Sequence, residues 1–131
     1  MIPFNRAYEA WAPVVARLLL AIQFAAAAAF KIMGFSGEVA QTAAAGVPIA
    51  NIAVAAALLL EIVGVVALVL GWRIRLVSML LAGYVALLAV IFYHDWSTPM
   101  GMGLFISHLG LIAALLYVSV YGARHFAISR D

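Results

Sequence analysis

The chain has 131 residues, of which 69% are hydrophobic and only 9% charged, and its mean hydropathy is +1.20. These values lie outside the range of soluble globular domains and indicate an integral membrane protein with no length to spare for a soluble catalytic or nucleotide-binding domain. Seven Lys and Arg against five Asp and Glu is too small an excess to imply a nucleic-acid partner, and the absence of cysteine excludes disulfides, thiol redox chemistry, iron–sulfur ligation and thiolate zinc sites.

A single domain, residues 1–131, is expected, with spans at about 12–33, 48–70, 75–93 and 102–121. Each is close to the roughly 20 residues needed to cross a bilayer. The polar, aromatic-containing N-terminus runs into an apolar segment longer than a signal-peptide core, so the first span reads as an uncleaved anchor with Pro13 near its first turn. Gly34 to Glu38 breaks the pattern, and residues 39–45 suit a short interfacial helix before Gly46 and Pro48. Gly71-Trp72-Arg73-Ile74-Arg75 forms a tight basic turn, and His94 to Pro99 makes the last loop.

Charge sets the expected orientation. Arg6, Arg17, Arg73, Arg75, Arg124 and Arg130 fall on one side of this arrangement and Lys31 alone on the other, so both termini should face the cytoplasm. Independently of orientation, a bacterial cytoplasmic (inner) membrane is the expected location. Trp11, Trp72 and Trp96 lie at span ends, where interfacial indoles belong. The alanine run 25–29, with Ala53, Ala55 to Ala57 and Gly64, lets helix backbones approach closely. The fold class that follows is all-α, a polytopic antiparallel bundle of four transmembrane helices.

Glu61, near the middle of the second span, is the best pointer to function. A carboxylate in hydrocarbon costs roughly 2.5–3.5 kcal/mol on insertion scales, so it must be neutral, paired or hydrated within the bundle. Arg17 and Gln23 on the first span are candidate partners, although about 120° of helix rotation separates them. Arg17 has two readings, snorkelling to headgroups or a buried pair with Glu61, and helical depth favours the pair. Lys31 is expected to snorkel outward, while the face it shares with Arg17, Phe24 and Ala28 keeps it a candidate for an anion or headgroup. Glu61 itself is either a register-fixing carboxyl or a proton-exchanging or ligand-binding group.

His94 and His108 invite a metal or haem reading, but their nearest companions, Asp95 and Glu38, show no ligand spacing, and neither metal nor haem is expected. His94 suits an interfacial residue bonded to water. His108, inside the fourth span, suits either a quinone carbonyl or a bond to a neighbouring helix. His125 belongs to the tail and needs no special role.

The succession Arg17-Leu18-Leu19-Leu20, Phe30-Lys31-Ile32-Met33-Gly34-Phe35, Glu61 followed by Gly64, and Leu70-Gly71-Trp72-Arg73 resembles the DoxX-like family of small four-helix membrane proteins. Tyr93-His94-Asp95-Trp96 resembles that family's histidine-aromatic motif, and Tyr121-Gly122-Ala123-Arg124 its exit from the last span. The alanine run stands where the family often has glycine, and His108 where an amide or lysine is usual. The resemblance implies association with quinone-linked oxidoreductases, including thiosulfate:quinone oxidoreductase in DoxD relatives, and with membrane complexes that manage oxidative stress.

The leading expectation is a small membrane subunit of such a system, anchoring a membrane or peripheral protein partner and binding quinone between its helices, with Glu61 as proton acceptor or hydrogen-bond partner. A proton-coupled transporter of small hydrophobic or cationic compounds, working as a homo-oligomer, is the second. A structural scaffold embedded in membrane lipids is the third. The chain holds no self-sufficient catalytic constellation.

Overall fold

The computed structural model describes residues 6–123, 127 and 128. All secondary structure among them is helical: α1 (Arg6–Met33), α2 (Phe35–Ala44), α3 (Ala50–Leu70), α4 (Ile74–Phe92) and α5 (Pro99–Tyr121). Four of these, all but α2, are long and apolar enough to cross a membrane. The expected all-α, four-span protein is what the chain forms. Arg124, Arg130 and His125 lie outside the described residues.

The helix limits follow local chemistry. α1 begins at Arg6, so Pro13 sits about two turns inside it rather than in the first turn expected. The backbone bond that Pro13 cannot make would have gone to the carbonyl of Glu9, in the exposed end of the helix, where its loss costs least. α5 starts earlier than the sequence suggested because Pro99 occupies its first turn and Thr98 caps it, the Thr98 hydroxyl accepting from the Gly101 N–H at 3.0 Å. Between α3 and α4, Gly71 adopts φ 69° and the Trp72 N–H reaches back to the Ala67 carbonyl at 3.0 Å, the six-to-one bond of a Schellman turn. The Ile128 N–H donates to the Leu70 carbonyl at 3.0 Å, filling another acceptor that the helix end leaves open.

Neighbouring spans are antiparallel. Lys31 meets Glu61 while Arg17 meets Gly71, so residue numbers rise along α1 as they fall along α3. Glu61 with Tyr84 and Gly64 with Leu81 show the same for α3 and α4. Tyr93 against His108 and Arg75 against Gly122 show it for α4 and α5. Backbones approach most closely between α1 and α3 and between α4 and α5; α3 and α4 join the two pairs, and α1 has no close backbone approach to α4 or α5.

The shared core is apolar. Leu20 and Phe24 from α1, Leu68 from α3, Ile74 and Leu81 from α4, and Leu115 from α5 close it. A Cβ on Gly64 would lie 2.8 Å from Leu81 Cδ1, so the missing side chain is what allows Leu81 to seat against α3. Only 6% of the apolar stretch of α5 is buried, against 39% for α4. Most of the surface of α5 is therefore left uncovered by the other described helices.

Candidate functional site

Glu61 is 1% exposed, at mid-length on α3. Lys31 Nζ lies 3.1 Å from Glu61 Oε2, and the Tyr84 hydroxyl donates to the same oxygen at 2.9 Å. Three spans thus converge on one carboxylate oxygen: α1 through Lys31, α3 through Glu61, α4 through Tyr84. The other oxygen, Oε1, has no hydrogen-bond partner among the described residues. An ion pair supplemented by a phenol bond is how a bundle keeps a carboxylate inside hydrocarbon.

The partner of Glu61 is therefore Lys31, not Arg17. The reason lies in helix geometry. Every Cα–Cβ bond tilts toward the helix N-terminus, so long side chains on α1 lean back along the helix. Lys31, near the C-terminal end, leans into the membrane and reaches Glu61. Arg17 leans in the same direction along the helix, which from its first half points away from the membrane centre, and its Nη1 lies 2.5 Å from where a Cβ on Gly71 would stand. Gly71 is about 15 Å along α3 from Glu61, at about 1.5 Å per residue. Arg17 is nonetheless only 2% exposed, so it does not snorkel to headgroups either. Gln23 is exposed on the outside of α1 and is not brought to the site.

Above the ion pair, toward the α2 side of the membrane, lies a half-open cavity of about 340 Å³ lined by α1, α2, α3 and α4. Phe30, Val54, Leu88, Ile91 and Phe92 give it apolar walls. Its polar groups are Lys31, Glu38, Gln41, Thr42, Tyr84 and Tyr93. Lys31 and Tyr84 are shared between this wall and the carboxylate behind it. Below Glu61, toward the α3–α4 turn, the bundle is filled by Phe24, Leu68 and Leu81. The cavity thus lies on the α2 side of the polar centre, and apolar side chains pack on the other.

The two histidines part company. His94 is exposed in the loop after α4. His108 stacks on Tyr93, ring centroids 4.3 Å apart, and its Nδ1–H donates to the Leu104 carbonyl at 2.8 Å. His108 touches the cavity only through Tyr93. Among the described residues there is no group of three or more His, Cys, Asp or Glu placed to hold a metal ion. Asp95, in the same outer loop, accepts from the Ser97 N–H at 3.0 Å and from its hydroxyl, and these bonds hold its carboxyl below the ordinary range.

Tyr84 did not stand out in the sequence, where it is one aromatic in an apolar span. A signal was present: it lies as far beyond the α3–α4 turn as Glu61 lies before it, so an antiparallel hairpin must set the two at equal depth.

The DoxX family model matches residues 12–95, a stretch that contains Lys31, Glu61, Tyr84 and every residue of the cavity wall. The chain belongs to the DoxX family. It is also similar to the inner membrane protein YqjF of Escherichia coli (strain K12), with 28% identity over 117 residues that cover 89% of this chain and 88% of that protein. No solved structure matches. This DoxX-family protein is accordingly a small inner-membrane protein, and its polar centre lies in the segment the family model covers, whereas α5 and His108 lie beyond it.

Proposed function

We propose that this protein is the membrane subunit of a quinone-linked oxidoreductase system and that the cavity beside Lys31 receives the ring of a quinone. The observation that carries the reading is a chamber with apolar and aromatic walls at whose floor an ammonium group, Lys31, is held by a buried carboxylate. A quinone carbonyl accepts the ammonium hydrogens not used by Glu61. At about 340 Å³ the cavity sits near the lower end of ligand pockets, roughly 300–1,000 Å³. That suits a single ring, with the isoprenoid chain left among the lipids. Glu61 holds Lys31 in place from behind the cavity wall, and in this reading it is the proton acceptor, reached through Lys31 or Tyr84.

The basic turn bearing Arg73 and Arg75 belongs on the cytoplasmic side by the positive-inside rule, so in this reading the termini are cytoplasmic and the quinone is held in the outer leaflet. The protein partner that exchanges electrons with it binds the same membrane. Self-association is a further expectation of the reading.

Protein extracted in mild detergent tests it. Organic extraction and mass spectrometry should recover quinone in near-equal amount to the wild-type protein and little from Lys31→Met; the same preparation should carry the partner. No quinone in the wild type, together with unchanged electron transfer in a deletion strain, would overturn the reading. Proton-coupled transport is the weaker alternative because apolar side chains pack beyond Glu61 on the side of the α3–α4 turn. Proton-driven uptake into liposomes that Glu61→Gln abolishes would favour it instead.

A further inference from the structure

The two redox forms of a quinone differ in what they offer to hydrogen bonds, and the cavity wall is not neutral between them. A quinone has two carbonyl oxygens that only accept. Its hydroquinone has two hydroxyls that both donate and accept.

The wall can be sorted in the same terms. Tyr84 has one hydroxyl hydrogen, and it is spent on Glu61 Oε2 at 2.9 Å, so toward the cavity the Tyr84 oxygen offers lone pairs alone. Glu38, when ionised, also only accepts. Lys31 only donates, with one of its three hydrogens engaged by Glu61 at 3.1 Å. Gln41, Thr42 and Tyr93 each carry both functions and serve either form. Two groups that can only accept therefore stand against one that can only donate.

Occupancy by a quinone would satisfy Lys31 and cover the Tyr84 oxygen with a ring that has no hydrogen to give. Leaving a buried acceptor without a donor costs more than an ordinary hydrogen bond gains, and sites built this way reject analogues that lack the hydroxyl. A hydroquinone hydroxyl, by contrast, accepts from Lys31 and donates to Tyr84 Oη at once. Its second hydroxyl is served by Glu38 or by the groups of dual function.

We propose that the cavity selects the reduced, dihydroxylated form of the ring over the quinone, with the Tyr84 oxygen as the acceptor that discriminates. The proposal rests on the reading of the cavity as a quinone site and adds which form it holds. Tighter binding of the reduced form raises the potential of the bound couple. A tenfold preference corresponds to about 30 mV for two electrons.

The test uses purified protein in mild detergent under anaerobic conditions, titrated calorimetrically with three probes: tetramethyl-para-benzoquinone, its hydroquinone, and the dimethyl ether of that hydroquinone. The hydroquinone should bind about tenfold tighter than the quinone, and the ether, which keeps the ring but has no hydroxyl hydrogen, should bind no better than the quinone. Tyr84→Phe should bring the affinities of quinone and hydroquinone together. Equal or tighter binding of the quinone by the wild type overturns the selectivity and leaves the site itself standing. An ether as tight as the hydroquinone does the same, since hydrogen bonding would then not be the cause. If none of the three binds, the reading of the cavity as a quinone site fails and takes this inference with it.

Discussion

Arg17 and Lys31 leave α1 on nearly the same face, and both are cations withdrawn from water where α1 packs on α3, yet they end in unlike surroundings. Lys31 borders a cavity and holds a carboxylate. Arg17 fits against the Gly71 backbone in a tight turn, with Ala127 beside it. What differs is the opposing surface. α3 presents an acid to Lys31, and the glycine that ends α3 lies against Arg17.

That contrast breaks most clearly at the ion pair. Lys31→Ala leaves Glu61 buried with only Tyr84, and removal of one partner of a buried pair is expected to destabilise by about 3–5 kcal/mol, read from unfolding in SDS. The double variant Lys31→Met with Glu61→Gln should recover much of the loss, because neither position then carries a charge. Arg17→Ala should cost about 3 kcal/mol through lost packing, and it should leave ligand affinity in the cavity intact. A variant at Arg17 that emptied the cavity of ligand would dissolve the distinction between the two ends.

Smaller changes sharpen it. Tyr84→Phe removes a hydrogen bond to a charged group and should lower stability by about 1.5 kcal/mol, half or less of the Lys31 effect, since the ion pair survives. At the other end, Gly71→Ala forces an L residue into φ 69° with its Cβ 2.5 Å from that of Ala127. A loss of about 1 kcal/mol is expected from the backbone alone, again without change at the cavity.

The smallest effect belongs to the outer loop. The Ser97 bonds depress the Asp95 pKa, so the turn they make is stabilised above the ordinary Asp pKa, and that contribution is lost as pH falls through the depressed value. NMR titration of Asp95 should show the midpoint rising in Ser97→Ala. An unchanged midpoint would mean that the turn is not what holds the proton off.

Most of the frame was legible from residue order. Hydropathy located four spans, the small residues foretold close packing, and Glu61 marked the depth of the polar centre. The site's membership was not. Lys31 looked like a residue that escapes to the interface, and Arg17 like one long enough to dip inward. Side-chain direction reversed both assignments, and that direction shows only when a helix is set beside its partner. Gln23 sits at a plausible depth and faces outward, because depth and azimuth are separate coordinates and hydropathy reports neither side of an all-apolar helix.

Composition and the spacing of apolar runs by themselves determined that this chain crosses a membrane four times as helices, since backbone groups in hydrocarbon must be satisfied within each segment. The tertiary structure alone decided that Lys31 and Tyr84, from helices that do not closely approach each other, share one oxygen of Glu61, and that a cavity opens above them. Lipid and protein interior are equally apolar, so the sequence carries almost no mark of which face of a span is turned inward; the fit of helix against helix supplies it.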